Sequence, residues 1–299
     1  MRIAIHDGDI TKFPNLALMK ISAWHKAHGD EVEWFNALMP YDRVYSSKVF
    51  TFTPVDEYLP PDTIKGGTGY GMYGELDAEV DAMDPDYSIY PDCDFALGFL
   101  TRGCIRKCPW CCVSKKEGYI HPYRTWEQVK RPDSKKMVFM DNNILGCQFG
   151  IEQLESMVGQ KVWIDVNQAF DARLVTPEIA DIIAKLRWIS FIRFACDTDG
   201  VLERVLETIE LLKERKVPMS KLMVYVMFTD VASGEKRVNA LRDVWVNPHV
   251  QPYRDFENKV KPTREQINFA RYVNRKEIFK TCKSFEEYNV HYRRKGNAV

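Results

Sequence analysis

A set of three closely spaced cysteines constrains this chain more than any other feature of its sequence. They lie within residues 97–118, LGFLTRGCIRKCPWCCVSKKEG, at the spacing C-x3-C-x2-C, and are Cys104, Cys108 and Cys111. The mostly apolar run 95–100 comes just before them and is typical of a buried strand. Residues 101–103 (Thr, Arg, Gly) interrupt that run, so we predict that the cysteines lie just beyond the C-terminal end of a strand. Folds of the α/β class usually carry their chemistry at that position.

This triplet suits an iron–sulfur cluster better than a zinc ion. A closed structural zinc site needs four ligands, commonly as two separated pairs, and no second C-x2-C or H-x3-H pair follows. A [4Fe–4S] cluster is normally held by four thiolates, so three thiolates leave one iron open to another ligand. Two alternatives stay open, inert buried cysteines and a zinc ion completed by a distant residue. Disulfides are disfavoured because we recognise no secretory segment.

The cysteine loop resembles a known motif. Its sequence CIRKCPWC matches the radical S-adenosylmethionine motif C-x3-C-x-aromatic-C, with Trp110 at the aromatic position. The resemblance implies a [4Fe–4S] cluster on Cys104, Cys108 and Cys111, with S-adenosyl-L-methionine bound at the open iron. It further implies reductive cleavage of that cofactor to a 5′-deoxyadenosyl radical, which abstracts hydrogen from a substrate. An electron donor such as flavodoxin or ferredoxin and a cytoplasmic location are expected with it.

The same resemblance gives an expected architecture. Residues 93–258 are predicted to form a partial (β/α)6 TIM-like barrel, in an α/β fold. A shortened Rossmann-like domain with its linker is expected over 1–92, and a helical extension over 259–299. Alternating strand and helix patterns support the barrel independently. The predicted strands are 2–6, 31–38, 43–53, 95–100, 136–140, 161–166, 188–195, 222–228 and 246–253.

The N-terminal unit resembles the cobalamin-binding domain that precedes many radical S-adenosylmethionine barrels. Residues 66–70 (GGTGY) look like the glycine loop of that domain. The cobalamin-ligating pattern D-x-H-x-x-G is absent, however, and residues 6–9 (HDGD) do not replace it by spacing. We therefore expect a scaffold or lid without cobalamin. A cobalamin-dependent radical methyltransferase stays an alternative.

The family places a Gly-Gly-Glu motif after its second barrel strand, where it binds the amino group of the cofactor. Here the motif is missing, and Asp141, Asn142 and Asn143 stand in its place. Carboxylate and amide oxygens accept hydrogen bonds from an ammonium group, so we expect these side chains to take over that role. The alternative is an N-cap and turn for the next helix, which favours the same residue types.

Further candidate contacts to the cofactor or the substrate follow the later strands. They are Asp165, Gln168, Arg173, Asp197, Thr198 and Tyr253. Arg173 is able to bind a carboxylate with two hydrogen bonds, although a salt bridge with Asp171 or Glu178 is an equal alternative. The resemblance implies that Asp197 and Thr198 lie near the ribose and that Tyr253 lies near the adenine. No catalytic residue is assigned.

Composition narrows the function less than the motif does. Lys+Arg and Asp+Glu both number 42, so net charge gives no general attraction to nucleic acid or membrane. No apolar run has the length of a membrane span. The chain ends in a basic tail, Arg293, Arg294 and Lys295. Two substrate classes therefore stay open: a nucleic acid or other macromolecule, and a small molecule or peptide. A non-catalytic iron–sulfur protein for electron transfer or redox sensing is the alternative from another class.

Overall fold

The computed structural model describes residues 1–11, 13–255 and 260–288. Within them the chain forms an α/β fold with several parallel sheets. The predicted domain boundary at 258/259 and the basic tail at 293–295 fall outside these ranges. No helix in the described ranges combines the length and the apolar character needed to cross a bilayer.

Strands and helices alternate from residue 136 to residue 274. The strands are Arg2–Asp7 (β1), Glu31–Trp34 (β2), Arg43–Ser47 (β3), Ile64–Gly66 (β4), Ala96–Gly98 (β5), Thr101–Arg102 (β6), His121–Pro122 (β7), Lys136–Phe139 (β8), Trp163–Val166 (β9), Ile192–Ala195 (β10), Leu222–Phe228 (β11) and Asn247–Pro252 (β12). The helices are Leu16–Ala27 (α1), Ala78–Ala82 (α2), Val113–Lys116 (α3), Trp126–Val129 (α4), Gln148–Ser156 (α5), Pro177–Lys185 (α6), Asp199–Glu214 (α7), Val231–Asp243 (α8), Arg264–Asn274 (α9) and Lys276–Thr281 (α10).

The N-terminal sheet is parallel, in the order β2-β1-β3-β4. Strands β2 and β3 are shorter than predicted, and β4 was not predicted. Beyond Ser47 the backbone turns away because the Asp9 carboxylate accepts hydrogen bonds from Val49 N at 2.5 Å and from Phe50 N. Those amides are then no longer available to a neighbouring strand. A side chain 40 residues away in sequence therefore decides where β3 ends.

Six further parallel strands form two sheets of three, β5-β8-β9 and β10-β11-β12. Parallel bridges between Ile164 and Trp188 and between Phe170 and Phe194 join the two sheets. Helices α5 to α9 cover one face of both sheets and share one apolar core with them. Because all six strands run in the same direction, their carboxyl ends meet along one edge.

The other face of the first sheet is covered by the N-terminal unit. Leu97 of β5 and Val138 of β8 pack with Leu18 and Met19 of α1 and with Ile5 of β1. These side chains are all buried. The N-terminal unit and the sheet that carries the cysteine loop are therefore joined by a common apolar core.

Candidate functional site

The cysteine loop is closed at both ends by its own backbone. Cys104 N donates to Gly118 O at 3.3 Å, and the short hairpin β6-β7, which was not predicted, brings the two ends together. Gly103 has φ +83°, and a Cβ there would lie 2.7 Å from the Tyr119 carbonyl oxygen. Only glycine fits this position without strain.

Glu117 holds the same closure from inside the protein. Its Oε2 accepts hydrogen bonds from Arg102 Nε at 2.8 Å and from Gly103 N at 3.3 Å. Asn142 Nδ2 donates to the same oxygen at 3.1 Å. The Glu117 side chain is buried, so this charge-assisted set is stronger than a surface ion pair. It fixes the loop against the segment that follows β8.

The three cysteines lie on this loop as neighbours. Cys111 N donates to Cys108 O at 3.0 Å, and Arg106 N donates to Cys104 Sγ at 3.3 Å. Burial raises the pKa of Cys108 and of Cys111, and the nearby thiols add to it. In the described part of the chain, no three His, Cys, Asp or Glu side chains are arranged to hold a metal ion. The thiols thus share one loop but do not yet form a ligand set.

We predicted that Asp141 accepts a hydrogen bond from the cofactor, but in the structure its oxygens are used by the protein backbone. Its side chain is fully buried, and its oxygens accept from Leu100 N at 3.0 Å, Thr101 N at 2.5 Å and Thr101 Oγ1 at 2.7 Å. Asp141 does not cap a helix either: the one-turn 3-10 helix Ile144–Gly146 has Asn143 as its N-cap residue, and α5 has Cys147, both without a side-chain hydrogen bond. Asp141 instead joins the end of β8 to the segment between β5 and β6. No oxygen is left pointing towards a ligand.

This buried carboxylate makes stability depend on pH. Burial raises the pKa of Asp141 from 3.8 to about 6, although hydrogen bonds from Leu100 and Thr101 oppose the shift. A raised folded-state pKa adds stability that is complete below pH 3.8 and is lost as pH rises through about 6. We expect wild type to lose about 1–2 kcal/mol between pH 5 and 7.5 through this group. Urea unfolding of Asp141→Asn should lack this part of the loss. Parallel pH curves for the two proteins would contradict the assignment.

Of the two predicted asparagine acceptors, Asn143 lies beside the first cysteine, whereas Asn142 is hydrogen-bonded to Glu117. Asn143 Nδ2 lies 3.5 Å from Cys104 Sγ. The side chain is buried, and its Oδ1 has no hydrogen-bond partner among the described residues. Buried polar atoms of this kind are rare in folded proteins. An unpartnered oxygen beside the first cysteine is therefore a candidate acceptor for a ligand.

The predicted carboxylate-binding Arg173 is paired within the protein. Arg173 Nε and Nη2 donate to the two oxygens of Asp171 at 2.7 and 3.0 Å. Arg106, on the cysteine loop, donates to Asp171 Oδ2 at 3.0 Å. The salt-bridge alternative is thus present, and the bidentate edge of Arg173 is used by Asp171. The pair anchors the cysteine loop to the segment after β9.

Two other predicted contacts lie apart from the loop. Asp165 on β9 pairs with Arg193 on β10, and burial raises the pKa of Asp165 although Arg193 opposes the shift. Gln168 is exposed. Among the described residues, neither side chain forms a hydrogen bond or an ion pair with the cysteine loop.

A cleft beside the cysteine loop brings four predicted residues together. Its volume is about 360 Å³, within the range of small-ligand sites. Burial raises the pKa of Asp197, and the nearby backbone of Met227 and the charge of Arg237 oppose the shift. The residues that line the cleft include Pro109, Trp110, Asp197, Thr198, Met227, Arg237 and Tyr253.

Glu117 and Arg237 were missed by sequence reasoning. Arg237 is buried on α8, and its Nη1 donates to Cys196 O at 2.6 Å and to Met227 O at 2.8 Å. It therefore satisfies carbonyls at the carboxyl ends of two neighbouring strands. One signal was available, because Arg237 falls on the apolar stripe of α8, where a charged residue is unusual. For Glu117 the signal was an opposite charge, Arg102, at the other end of the loop.

Comparisons with known proteins give no family. No protein-family profile matches the sequence, and no curated protein matches it. The crystal structure of SuiB from Streptococcus suis is similar over 64% of this chain and 48% of its own, with a TM-score of 0.47 and 12% identity. The chain thus spans about half the length of that protein. A likeness of this size identifies neither a fold nor a function.

Proposed function

We propose that this chain is a radical S-adenosylmethionine enzyme that holds a [4Fe–4S] cluster on Cys104, Cys108 and Cys111. The observation that carries the proposal is the C-x3-C-x2-C spacing with Trp110 on a closed loop at the carboxyl edge of parallel strands. We further propose that β5 and β8 to β12 form a partial (β/α)6 barrel. The location is proposed to be the cytoplasm, with flavodoxin or ferredoxin as the electron donor.

The residues present fit such a cluster by their chemistry. Three thiols on one loop are the donor set that iron–sulfur clusters use. Each must lose its proton to bind a metal, and the Arg173 charge near Cys108 lowers that thiol's pKa against the effect of burial. Asn143 supplies an unpartnered acceptor beside Cys104. These features support a ligand at the open position of the cluster.

Once bound, the reduced cluster and S-adenosylmethionine would together supply a carbon radical that abstracts hydrogen from a substrate. The chain's own part is to bind, orient and exclude water. Trp110 and Tyr253 offer ring faces in the cleft, and Asp197 and Thr198 offer acceptors for hydroxyl groups. A purely electron-transferring protein has no need of such a cleft. The cleft therefore favours an enzyme over the electron-transfer alternative.

Anaerobic reconstitution with iron and sulfide tests this function. After reduction with dithionite, the protein should convert S-adenosylmethionine to 5′-deoxyadenosine and methionine. A protein that carries the cluster but yields no 5′-deoxyadenosine would refute the enzyme and leave the electron-transfer alternative. A protein that binds zinc and no iron would refute both.

Asn143→Ala should weaken S-adenosylmethionine binding by about ten- to a hundredfold. The reason is the loss of one hydrogen bond to a charged group, which is worth about 1.5–3 kcal/mol. Calorimetric titration of the reconstituted protein measures it, with the cluster absorbance showing that the metal site is intact. Asn142→Ala is the comparison variant: its amide donates to Glu117, so it tests loop closure instead, and it should bind S-adenosylmethionine more tightly than Asn143→Ala as long as its cluster absorbance matches wild type. Equal affinities in Asn143→Ala and wild type would reassign the ammonium partner.

Cobalamin is not part of this proposal. The glycines of the N-terminal unit enclose the chain's own Lys48, since a Cβ at Gly8 or Gly69 would lie 3.1 or 2.8 Å from its side chain. Lys48 Nζ donates to Thr53 O at 2.8 Å, which holds the side chain in place. We propose that this side chain takes the space that a glycine loop would otherwise leave open to a ligand. A stoichiometric complex with hydroxocobalamin would contradict this and favour radical methyl transfer.

A further inference from the structure

The second sheet has a face that the helices do not cover. Along β11 the side chains alternate, and Leu222, Val224, Val226 and Phe228 are buried in the core under the helices. Met223, Tyr225 and Met227 point to the opposite face, where they are half-buried. Among the described residues, none of these three belongs to an apolar core cluster. This face differs from the matching face of the first sheet, which the N-terminal unit covers.

An ion pair with unused hydrogen-bonding capacity lies at this face. Arg193 on β10 is the cross-strand neighbour of Met223, and it pairs with Asp165 Oδ1 on β9. Arg193 Nε is buried and has no hydrogen-bond partner in the described part of the protein. Leaving such a donor unpaired is unfavourable, because the group has given up its hydrogen bond to water. Nε has almost no accessible surface in this structure, so a ligand acceptor would reach it only after the side chains over it move, and would then satisfy the donor.

An aromatic pair lies beside the ion pair on the same face. Tyr225 and His249 are cross-strand neighbours, with ring centroids 5.6 Å apart at 84°. Burial lowers the pKa of His249 below its ordinary value of 6.5, so the imidazole is neutral at neutral pH. Arg193 and Asp165 cancel each other's charge. The face therefore presents polar atoms and apolar surface but no net charge.

We propose that this face binds a substrate through a neutral carboxamide group joined to an apolar or aromatic body. An amide carbonyl would accept from Arg193 Nε, and the amide N–H would donate to the Asp165 carboxylate. A ligand carboxylate would be repelled by the Asp165 carboxylate, and a ligand ammonium would be repelled by the Arg193 guanidinium. Neither charged group is therefore favoured. The apolar body would lie on Met223 and Tyr225. Calling this ligand a substrate rests on the proposed function.

The position of the face agrees with that assignment. Met223, Tyr225 and Met227 follow one another on the same side of β11, about 6–7 Å apart at each step. Met227 also lines the cleft that holds Trp110 and Tyr253. A ligand at Arg193 and Met223 is therefore about 13 Å along the strand from that cleft. A molecule a few rings long would reach from one to the other.

Three matched probes test the proposal on the full chain without cluster or S-adenosylmethionine. The protein is labelled at the methionine methyl groups, and benzamide, benzoate and benzamidine are titrated in turn. The dissociation constant of benzamide, obtained from the shift of the Met223 signal, should be at least fivefold lower than those of benzoate and benzamidine. Signals are assigned from Met223→Leu and Met227→Leu. Comparable or tighter binding of benzoate or benzamidine would overturn the proposal, and so would the absence of any shift with benzamide.

Arg193→Lys supplies the decisive variant. Lysine keeps the charge opposite Asp165 and lacks the Nε–H donor. Benzamide should bind it about tenfold more weakly, while the spectrum shows that the fold is kept. Unchanged affinity would overturn the assigned contact. Benzamide binding without formation of 5′-deoxyadenosine would uphold the site and refute the enzyme, whereas the reverse result would refute the site alone.

Discussion

Replacing Cys104, Cys108 or Cys111 with alanine is expected to abolish the iron–sulfur cluster, whereas Cys112→Ala should retain it. Each of the three supplies one of only three protein thiolates in the proposed site, and two thiolates do not hold a cubane cluster. Iron and sulfide content after anaerobic reconstitution, together with the visible absorbance, measures the effect. Formation of 5′-deoxyadenosine should fall to background in the same three variants.

Cys112 is a matched control because it adjoins Cys111 on the same loop. Its spacing from Cys108 is one residue too long for the motif. Far-ultraviolet circular dichroism of all four variants shows whether the fold is unchanged. Loss of the cluster in Cys112→Ala with its retention in Cys111→Ala would contradict the ligand assignment.

Asp81→Ala is expected to lower the free energy of unfolding by about 2–3 kcal/mol. Lys20 is buried, and its Nζ donates to Asp81 Oδ1 at 2.8 Å and to Tyr123 Oη at 2.7 Å. Removing the carboxylate leaves an uncompensated buried charge. The cost is below the about 3–5 kcal/mol of a fully buried pair, because the Asp81 side chain is 32% exposed. Urea unfolding followed by tryptophan fluorescence measures it.

Asp84→Ala is the matched control in the same segment. Asp84 pairs with Arg124, but its side chain is 87% exposed, and such pairs contribute about 0–1 kcal/mol. The double variant Lys20→Met/Asp81→Ala should recover much of the lost stability, since no buried charge remains. Equal losses in Asp81→Ala and Asp84→Ala would show that the buried lysine does not depend on its carboxylate.

Periodic patterns along the sequence predicted the regular elements well. The apolar residues of 201–216 recur at helical spacing, which predicts a helix there, and α7 is Asp199–Glu214; the strand predicted at 222–228 is β11, Leu222–Phe228. In both, local pattern and burial agree, because one stripe or one alternate set of apolar residues faces the core. Thr176 followed by Pro177 predicts a helix start by its capping chemistry, and α6 begins at Pro177 with Thr176 as its N-cap.

The site was less predictable, because its contacts join residues far apart in sequence. Asp141 bonds the backbone at Leu100 and Thr101, about 40 residues earlier, and Asp9 ends β3 in a similar way. A carboxylate after a strand has the same appearance in sequence whether it faces a ligand or a neighbouring backbone. Only the fold shows that Asn143, and not Asp141, keeps an oxygen without a partner.

The core shared by the N-terminal unit and the first sheet limits how the protein can move. Swinging the unit away would expose Leu97, Val138, Leu18 and Met19 to water, at a cost on the order of 10 kcal/mol for the whole contact. It would also separate Lys20 on α1 from Tyr123. That cost is comparable to the whole stability of a typical domain. The unit is thus no hinged cover, and we expect it to unfold together with the first sheet as one cooperative block. We therefore expect ligand exchange to depend on the loops at the carboxyl ends of the strands, since loops in proteins generally move on the nanosecond to microsecond timescale.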